Sequence, residues 1–219
     1  MSKEKKLKLH YYDGCEQLEL SGRKLRYRMI DFWRMKLSAI TETMTRGSFA
    51  EFVVACALEE PLNEQGFSAL KPNKAGNEPY DLDGPMIQTA DGERRSRIEV
   101  KSTANVHLQL SAEKRQLDDS QLKFSIRKAI DWDSAEKKPD RHSDVYVFCY
   151  YKATSKSEDI LNLDLWEFYV LPTQRIEADA KLANKNSISL YRLKKTFGLQ
   201  PVGFGALYGA IRESLDTIH

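Results

Sequence analysis

The sequence is short of cysteine, proline and long apolar runs, and its charge is nearly balanced. Cys15, Cys56 and Cys149 are the only cysteines among 219 residues, and no two of them stand at a metal-ligand or redox-motif spacing. This odd, scattered set of thiols speaks against a disulfide framework or an iron–sulfur cluster and predicts a reducing cytoplasm. Cys56 lies in an apolar helix-like run and Cys149 in an apolar strand-like run, both inert settings for a nucleophilic thiol. Lys3, Lys5, Lys6 and Lys8 make the N-terminus basic. No hydrophobic segment follows them, so neither a secretory signal nor a membrane span is expected. No glycine loop of the Walker type is present, which leaves no place for a nucleotide cofactor. Thirty-four Lys and Arg against 32 Asp and Glu give a net charge of +2. A surface so balanced is not a general polyanion binder, and a nucleic-acid partner has to be held by a local basic face.

What is present is organised around residues 79–102. Pro79-Tyr80-Asp81-Leu82-Asp83-Gly84 leads to a turn at Asp91-Gly92, followed by Arg97-Ile98-Glu99-Val100-Lys101-Ser102. Aspartate-glycine between two strand-like runs predicts a β-hairpin, because glycine supplies the positive φ of the turn. Side chains alternate along a strand, so Ile98 and Val100 are expected in a core, with Glu99 and Lys101 together on the opposite face. Asp81 and Asp83 share a face of the first strand. Asp81 is preferred as their partner because Asp83 precedes Gly84-Pro85, where the strand should end. Clustered carboxylates repel unless a cation lies between them, and a hard divalent ion with oxygen ligands meets that need. A lysine beside it serves to steer a water or to neutralise charge on a phosphate oxygen. Acid-any-lysine occurs four times in the chain, at Glu4/Lys6, Glu99/Lys101, Glu136/Lys138 and Asp179/Lys181. Only Glu99/Lys101 sits in an apolar-alternating strand with a second acid on its partner. Ordinary solvated ion pairs on an exposed hairpin are the competing interpretation.

This arrangement resembles the PD-(D/E)xK nuclease superfamily, with Asp81 standing one residue beyond the usual place because Tyr80 interrupts the motif. Arg46-Gly47-Ser48-Phe49-Ala50-Glu51, Tyr80-Asp81-Leu82, Ile98-Glu99-Val100-Lys101-Ser102, Ser143–Phe148 and Trp166–Thr173 resemble uncharacterised prokaryotic proteins of restriction-endonuclease-like fold over roughly residues 25–195. The resemblance implies a metal-dependent nuclease acting on phosphodiesters, DNA above all. Asp81 and Glu99 would bind Mg²⁺ or Mn²⁺, the Val100 backbone carbonyl would add a ligand, and Lys101 would position or activate the attacking water. Glu51, on the helix before the hairpin, would support the metal or the water. It also implies a homodimer by analogy with duplex cutters. The alternative from another class is a nuclease-fold protein that binds nucleic acid or a protein partner without cutting, and a third is a structural subunit.

The remaining elements predict an α/β (α+β) chain with a mixed sheet of four to five strands flanked by helices on both faces. It is expected to form a single domain over 1–219, with 1–24 as a flexible N-terminal segment. Apolar residues at three- and four-residue spacing predict one amphipathic helix over Leu25–Met44. Thr45-Arg46-Gly47 should break it, and a second helix should run over Ser48–Leu58. There Glu51 is either half of a capping box with Ser48 or a functional carboxylate in apolar surroundings. Residues 59–78 read as loop and 102–121 as a polar, basic segment including Gln109, Lys114, Arg115 and Gln116. Lys123–Lys128 reads as a basic strand suited to phosphate contacts, with a plain charged loop as the other outcome. Asp144–Tyr151 is a strand covered on both faces, and Leu165–Leu171 is another. Helices are expected over 173–183, over 187–197 with a serine cap, and over 204–215.

Overall fold

The structure is a computed structural model that describes residues 12–70, 79–105, 117–132, 134, 136–155 and 158–217. Its first elements are a hairpin of β1 (Gln17–Leu20) and β2 (Arg23–Arg28), followed by α1 (Met29–Leu37) and α2 (Thr43–Asn63). The expected helix over 25–44 is therefore wrong at both ends. Its first residues pair with β1 across a two-residue turn, Ser21-Gly22, both at positive φ (51° and 75°). This turn matches the strand twist and makes a tight hairpin. Its last residues belong to α2, which continues through Arg46-Gly47 without a break. Ser48 is thus inside the helix, and the capping-box interpretation of Glu51 falls. Helix α1 buries none of its residues.

The central sheet has the order β3 (Leu82–Thr89), β4 (Gly92–Ala104), β8 (Val145–Tyr151), β9 (Trp166–Pro172). β3–β4 and β8–β9 are antiparallel and β4–β8 is parallel, so the sheet is mixed and four-stranded. Strand β8 is built of β-branched and aromatic residues and is buried along its whole length, as a strand covered on both faces must be. Val145, Val147, Cys149 and Tyr151 join Ile98 and Val100 in a core roofed by α2 and α5 (Leu207–Asp216). Tyr146, Phe148 and Tyr150 enter a second core on the opposite face. There they meet α3 (Thr173–Ala178), α4 (Leu190–Lys195) and a two-stranded ribbon of β5 (Lys123–Ser125) with β10 (Ser187–Ser189). The class is α+β with helices on both faces.

Smaller differences have local causes. Ser187 does not begin a helix: it starts β10, and Ser189 is the cap, its hydroxyl accepting from the Arg192 amide at 3.3 Å. The expected helix over 173–183 ends at Ala178, and the one over 204–215 begins with a single 3₁₀ turn at Phe204–Ala206. A two-strand pair, β6 (Ala129–Ile130) with β7 (Pro139–Asp140), and a 3₁₀ turn at Leu163–Leu165 are the remaining elements among the described residues. Part of the expected loop over 59–78 is helix, since α2 runs to Asn63 despite Pro61; positions 71–78 and most of the polar segment, including Gln109, Lys114, Arg115 and Gln116, lie outside the described residues. No helix among the described residues is long and apolar enough to cross a membrane.

Candidate active site

Strand β3 does not end at Gly84-Pro85. It passes through a bulge there and pairs on to Thr89, opposite Gly92 (φ +114°), which closes the turn. Proline is tolerated because β3 is an edge strand with a bulge. Gly84 is required by close approach: a Cβ at this position would lie 2.5 Å from Ser96 Oγ and 2.7 Å from Ile98 Cδ1. The register places Leu82 opposite Ile98, so Asp81 stands just beyond the start of β3 while β4 runs on to Ala104 beside β8 alone. The Asp81 amide donates to the Ile98 carbonyl at 3.0 Å, which fixes the backbone. Its carboxylate then reaches past the strand end and accepts from the Val100 amide at 2.7 Å.

Glu99 and Lys101 follow on the same stretch of β4, on the face opposite Ile98 and Val100. The Lys101 ammonium lies 2.5 Å from a Glu99 carboxylate oxygen and 3.2 Å from Asp81. Two carboxylates and one ammonium thus meet in a notch at the end of an edge strand. Asp83 is elsewhere, accepting from the Tyr80 hydroxyl at 3.1 Å. A strand residue sends its N–H and C=O to the same side, so the Val100 carbonyl also faces beyond the end of β3.

The notch is only partly wet, since the Glu99 side chain is 15% exposed. Burial, and after it the charge of Asp81, pushes the Glu99 carboxyl up to about 7, against the pull of Lys101. Burial opposes the Lys101 ammonium, but Asp81 and Glu99 together outweigh it and hold its pKa above the ordinary lysine value. Glu99 in turn adds to the burial that raises the Tyr146 phenol, its neighbour in register on β8.

Glu51 comes from α2, on the other side of the sheet. It lines a cavity of about 350 Å³ with Ser48, Phe52, Ala55, Ala69, Leu70 and Leu82. The charges of Asp81 and Glu51 both add to the burial that raises the Cys149 thiol, which fits the inert role expected of it. Among the described residues no three Asp, Glu, His or Cys side chains converge as a metal-binding group. What the chain offers an ion is two carboxylates in partial burial, one resisting ionisation beside the other, with a backbone carbonyl near them. This set of hard oxygens fits Mg²⁺, which binds through one or two carboxylates and keeps several waters.

The β5–β10 ribbon flanks the notch. Phe124 of β5 packs its ring 5.1 Å from Phe148, which is the register neighbour of Lys101. The outward residues, Lys123, Ser125 and Ser187, are exposed, as are Arg127 and Lys128 beyond the strand. Reading the sequence alone misses what holds this region in place. Asp144 takes a bidentate pair from Arg94 (2.7 and 2.8 Å) and a third bond from the Arg97 amide at 2.7 Å, joining β4 to the start of β8. Arg141 is almost wholly buried, with donations to the carbonyls of Ile126 (2.9 Å) and Lys185 (3.0 Å) and an ion pair to Glu177. Both clamps connect positions tens of residues apart, and no short motif marks them.

No family model and no curated protein matches this chain. Among solved structures it is similar to a bacterial homing endonuclease, I-Ssp6803I, at 18% identity and a TM-score of 0.39, over 81% of this chain and 98% of that one.

Proposed function

We propose that the chain is a divalent-metal-dependent nuclease that hydrolyses phosphodiester bonds in DNA. The observation that carries this is the Asp81–Glu99–Lys101 notch: a part-buried carboxylate pair, only half neutralised by its one ammonium, at an open strand end. Asp81, Glu99 and the Val100 carbonyl would hold the ion, which supplies polarisation of a phosphoryl oxygen and neutralises charge there. The Lys101 ammonium orients the attacking water and donates to the phosphate oxygen on which charge accumulates. The water oxygen bonds to phosphorus as the ester P–O bond breaks; the water gives up a proton to solvent and the leaving alkoxide takes one from solvent. The Val100 amide holds the Asp81 carboxylate in place throughout. Glu51 adds negative potential from the adjoining cavity and favours entry of the cation, as part of the same machinery. The ribbon residues Lys123, Arg127 and Lys128 support the nucleic-acid partner, because cations and hydroxyls pair with phosphates irrespective of base sequence.

The test is calorimetric titration with Mg²⁺ or Mn²⁺, together with cleavage of plasmid and single-stranded DNA. Wild type should bind the ion and cut, Asp81→Ala combined with Glu99→Ala should do neither, and Lys101→Ala should bind the ion but cut at least a hundredfold more slowly, the usual order for a lost charge-stabilising donor. Undiminished cutting by Lys101→Ala overturns the mechanism. DNA binding by wild type without ion uptake or cutting turns the reading to a non-cleaving binder.

A further inference from the structure

The positive charge of the chain is gathered on its N-terminal arm. Between Gln17 and Leu37, the span of β1, β2 and α1, stand Arg23, Lys24, Arg26, Arg28, Arg34 and Lys36 against Glu19 and Asp31 alone. That is an excess of four in a chain whose whole excess is two, so the remainder is net negative. Lys24 pairs with Glu19 at 2.9 Å, and Arg34 lies 3.9 Å from Asp31. Among the described residues no carboxylate stands within ion-pair distance of Arg23, Arg26, Arg28 or Lys36. Nothing in the arm is buried: β1 is exposed throughout, β2 at every residue but the half-buried Leu25, and α1 buries none. The register sets Lys24 opposite Glu19 and Arg28 opposite Gln17, two places apart on β1, so Lys24 and Arg28 project from one face of the ribbon. Between them the Arg26 guanidinium lies 4.9 Å from the centre of the Tyr27 ring and donates to its hydroxyl at 3.0 Å, and the residue remains exposed.

A two-stranded ribbon with no core of its own is only marginally stable in water, so this one takes its working shape against a partner, and its charges say which. A second copy is disfavoured, because two such arms carry the same sign. A polyanion is favoured, and the form of the arm narrows the choice. The major groove of B-DNA, about 12 Å wide, admits a two-stranded β-ribbon, whereas that of an RNA duplex is too narrow for side chains to enter. Resting on the nuclease reading for the choice of nucleic acid, we infer that the arm is a grip for duplex DNA. The β1–β2 ribbon lies in the major groove, and Arg23, Arg26 and Arg28, its arginines without a carboxylate, pair with the phosphates. Such contacts fix where the chain sits on the duplex irrespective of base sequence.

Binding is measured on the full chain without any divalent ion, so that it is independent of cutting. Fluorescence anisotropy follows a labelled DNA duplex across a salt series on wild type, on Arg23→Gln, Arg26→Gln and Arg28→Gln singly and combined, and on the three combined changes to lysine. The triple glutamine variant should lose at least tenfold in affinity, with the logarithmic salt dependence shallower by about two to three, and each single variant should take about one from it. The lysine variant keeps the charges and should keep the wild-type slope. All three side chains are exposed, so the thermal melts should coincide. Cosedimentation with phosphatidylserine vesicles is run beside these titrations. Unchanged duplex affinity and slope in the glutamine variants overturn the inference and leave the nuclease reading standing, since ion uptake and cutting at the notch are tested separately. Arm-dependent capture by the vesicles, with no such effect on the duplex, assigns the arm to a lipid surface and also overturns it. Duplex binding that depends on the three arginines, in a protein that cuts nothing with Mg²⁺ or Mn²⁺, supports the inference and overturns the nuclease reading.

Discussion

Replacing Glu99 with glutamine should make the protein more stable at alkaline pH. The Glu99 carboxyl titrates near 7 in the fold, against an ordinary value of 4.5, because it is buried and faces Asp81. An acid with a raised pKa holds its proton longer in the folded state than in the unfolded chain, so folding stability declines as pH rises from about 4.5 through 7. At about 1.4 kcal/mol for each pH unit of separation, the decline amounts to roughly 3 kcal/mol by pH 8. Lys101 does not offset it in this window, since its raised pKa affects stability only above the ordinary lysine range, where the contribution is lost. Glutamine keeps the shape and removes the charge, and Lys101 retains Asp81 at 3.2 Å. Thermal unfolding of wild type and Glu99→Gln in parallel from pH 4.5 to 8 is the assay, with the difference between them cancelling all other titrations. The melting temperatures should coincide near pH 4.5 and separate by about 6–10 °C at pH 8, with the variant higher, on the usual scale for a chain of this size. A saturating divalent ion should close the gap by stabilising wild type alone. A variant that is less stable at pH 8, or a difference that does not change with pH, refutes the claim that Glu99 is held against its own charge.

Gly84→Ala should destabilise by about 1–3 kcal/mol, since the new methyl meets Ser96 and Ile98 at overlapping distances; chemical denaturation reads this directly. Arg141→Ala should cost about 1–3 kcal/mol, because the Ile126 carbonyl loses a buried donor and the part-buried Lys185 carbonyl and Glu177 lose theirs, and an unfolding midpoint close to wild type would contradict it. Lys123→Ala with Arg127→Ala should weaken DNA binding equally for all sequences and make the logarithmic salt dependence shallower by about two, measured by anisotropy across a salt series.

The hairpin was legible because two local rules agree there. Asp91-Gly92 announces the turn, and the alternation of Ile98, Glu99, Val100 and Lys101 sorts core from notch; the structure keeps both. Strand β8 was equally plain from its unbroken β-branched and aromatic run. The 25–44 segment misled because Leu25, Met29, Phe32 and Trp33 carry a helical period, yet the Ser21-Gly22 turn captures 23–28 as a strand, and a pairing partner outweighs propensity. Arg46-Gly47 was read as a stop although glycine in a helix costs only about 1 kcal/mol, less than the burial of Ala50, Val53 and Val54 returns. Alternation places Glu99 and Lys101 on the face opposite Ile98 and Val100 but says nothing of what covers that face. The ribbon of β5 and β10, whose contacts are far apart in sequence, lays a second core over that face and so creates the partial burial that shifts Glu99.

Both margins of the central sheet are interrupted. On β9 the Phe168 amide and carbonyl are taken by Val202, at 3.0 and 2.9 Å, and on β3 the kink at Gly84-Pro85 interrupts the row of free amides. A neighbouring chain therefore finds only broken stretches of template on either margin. Association of copies by extending this sheet edge to edge is thereby disfavoured.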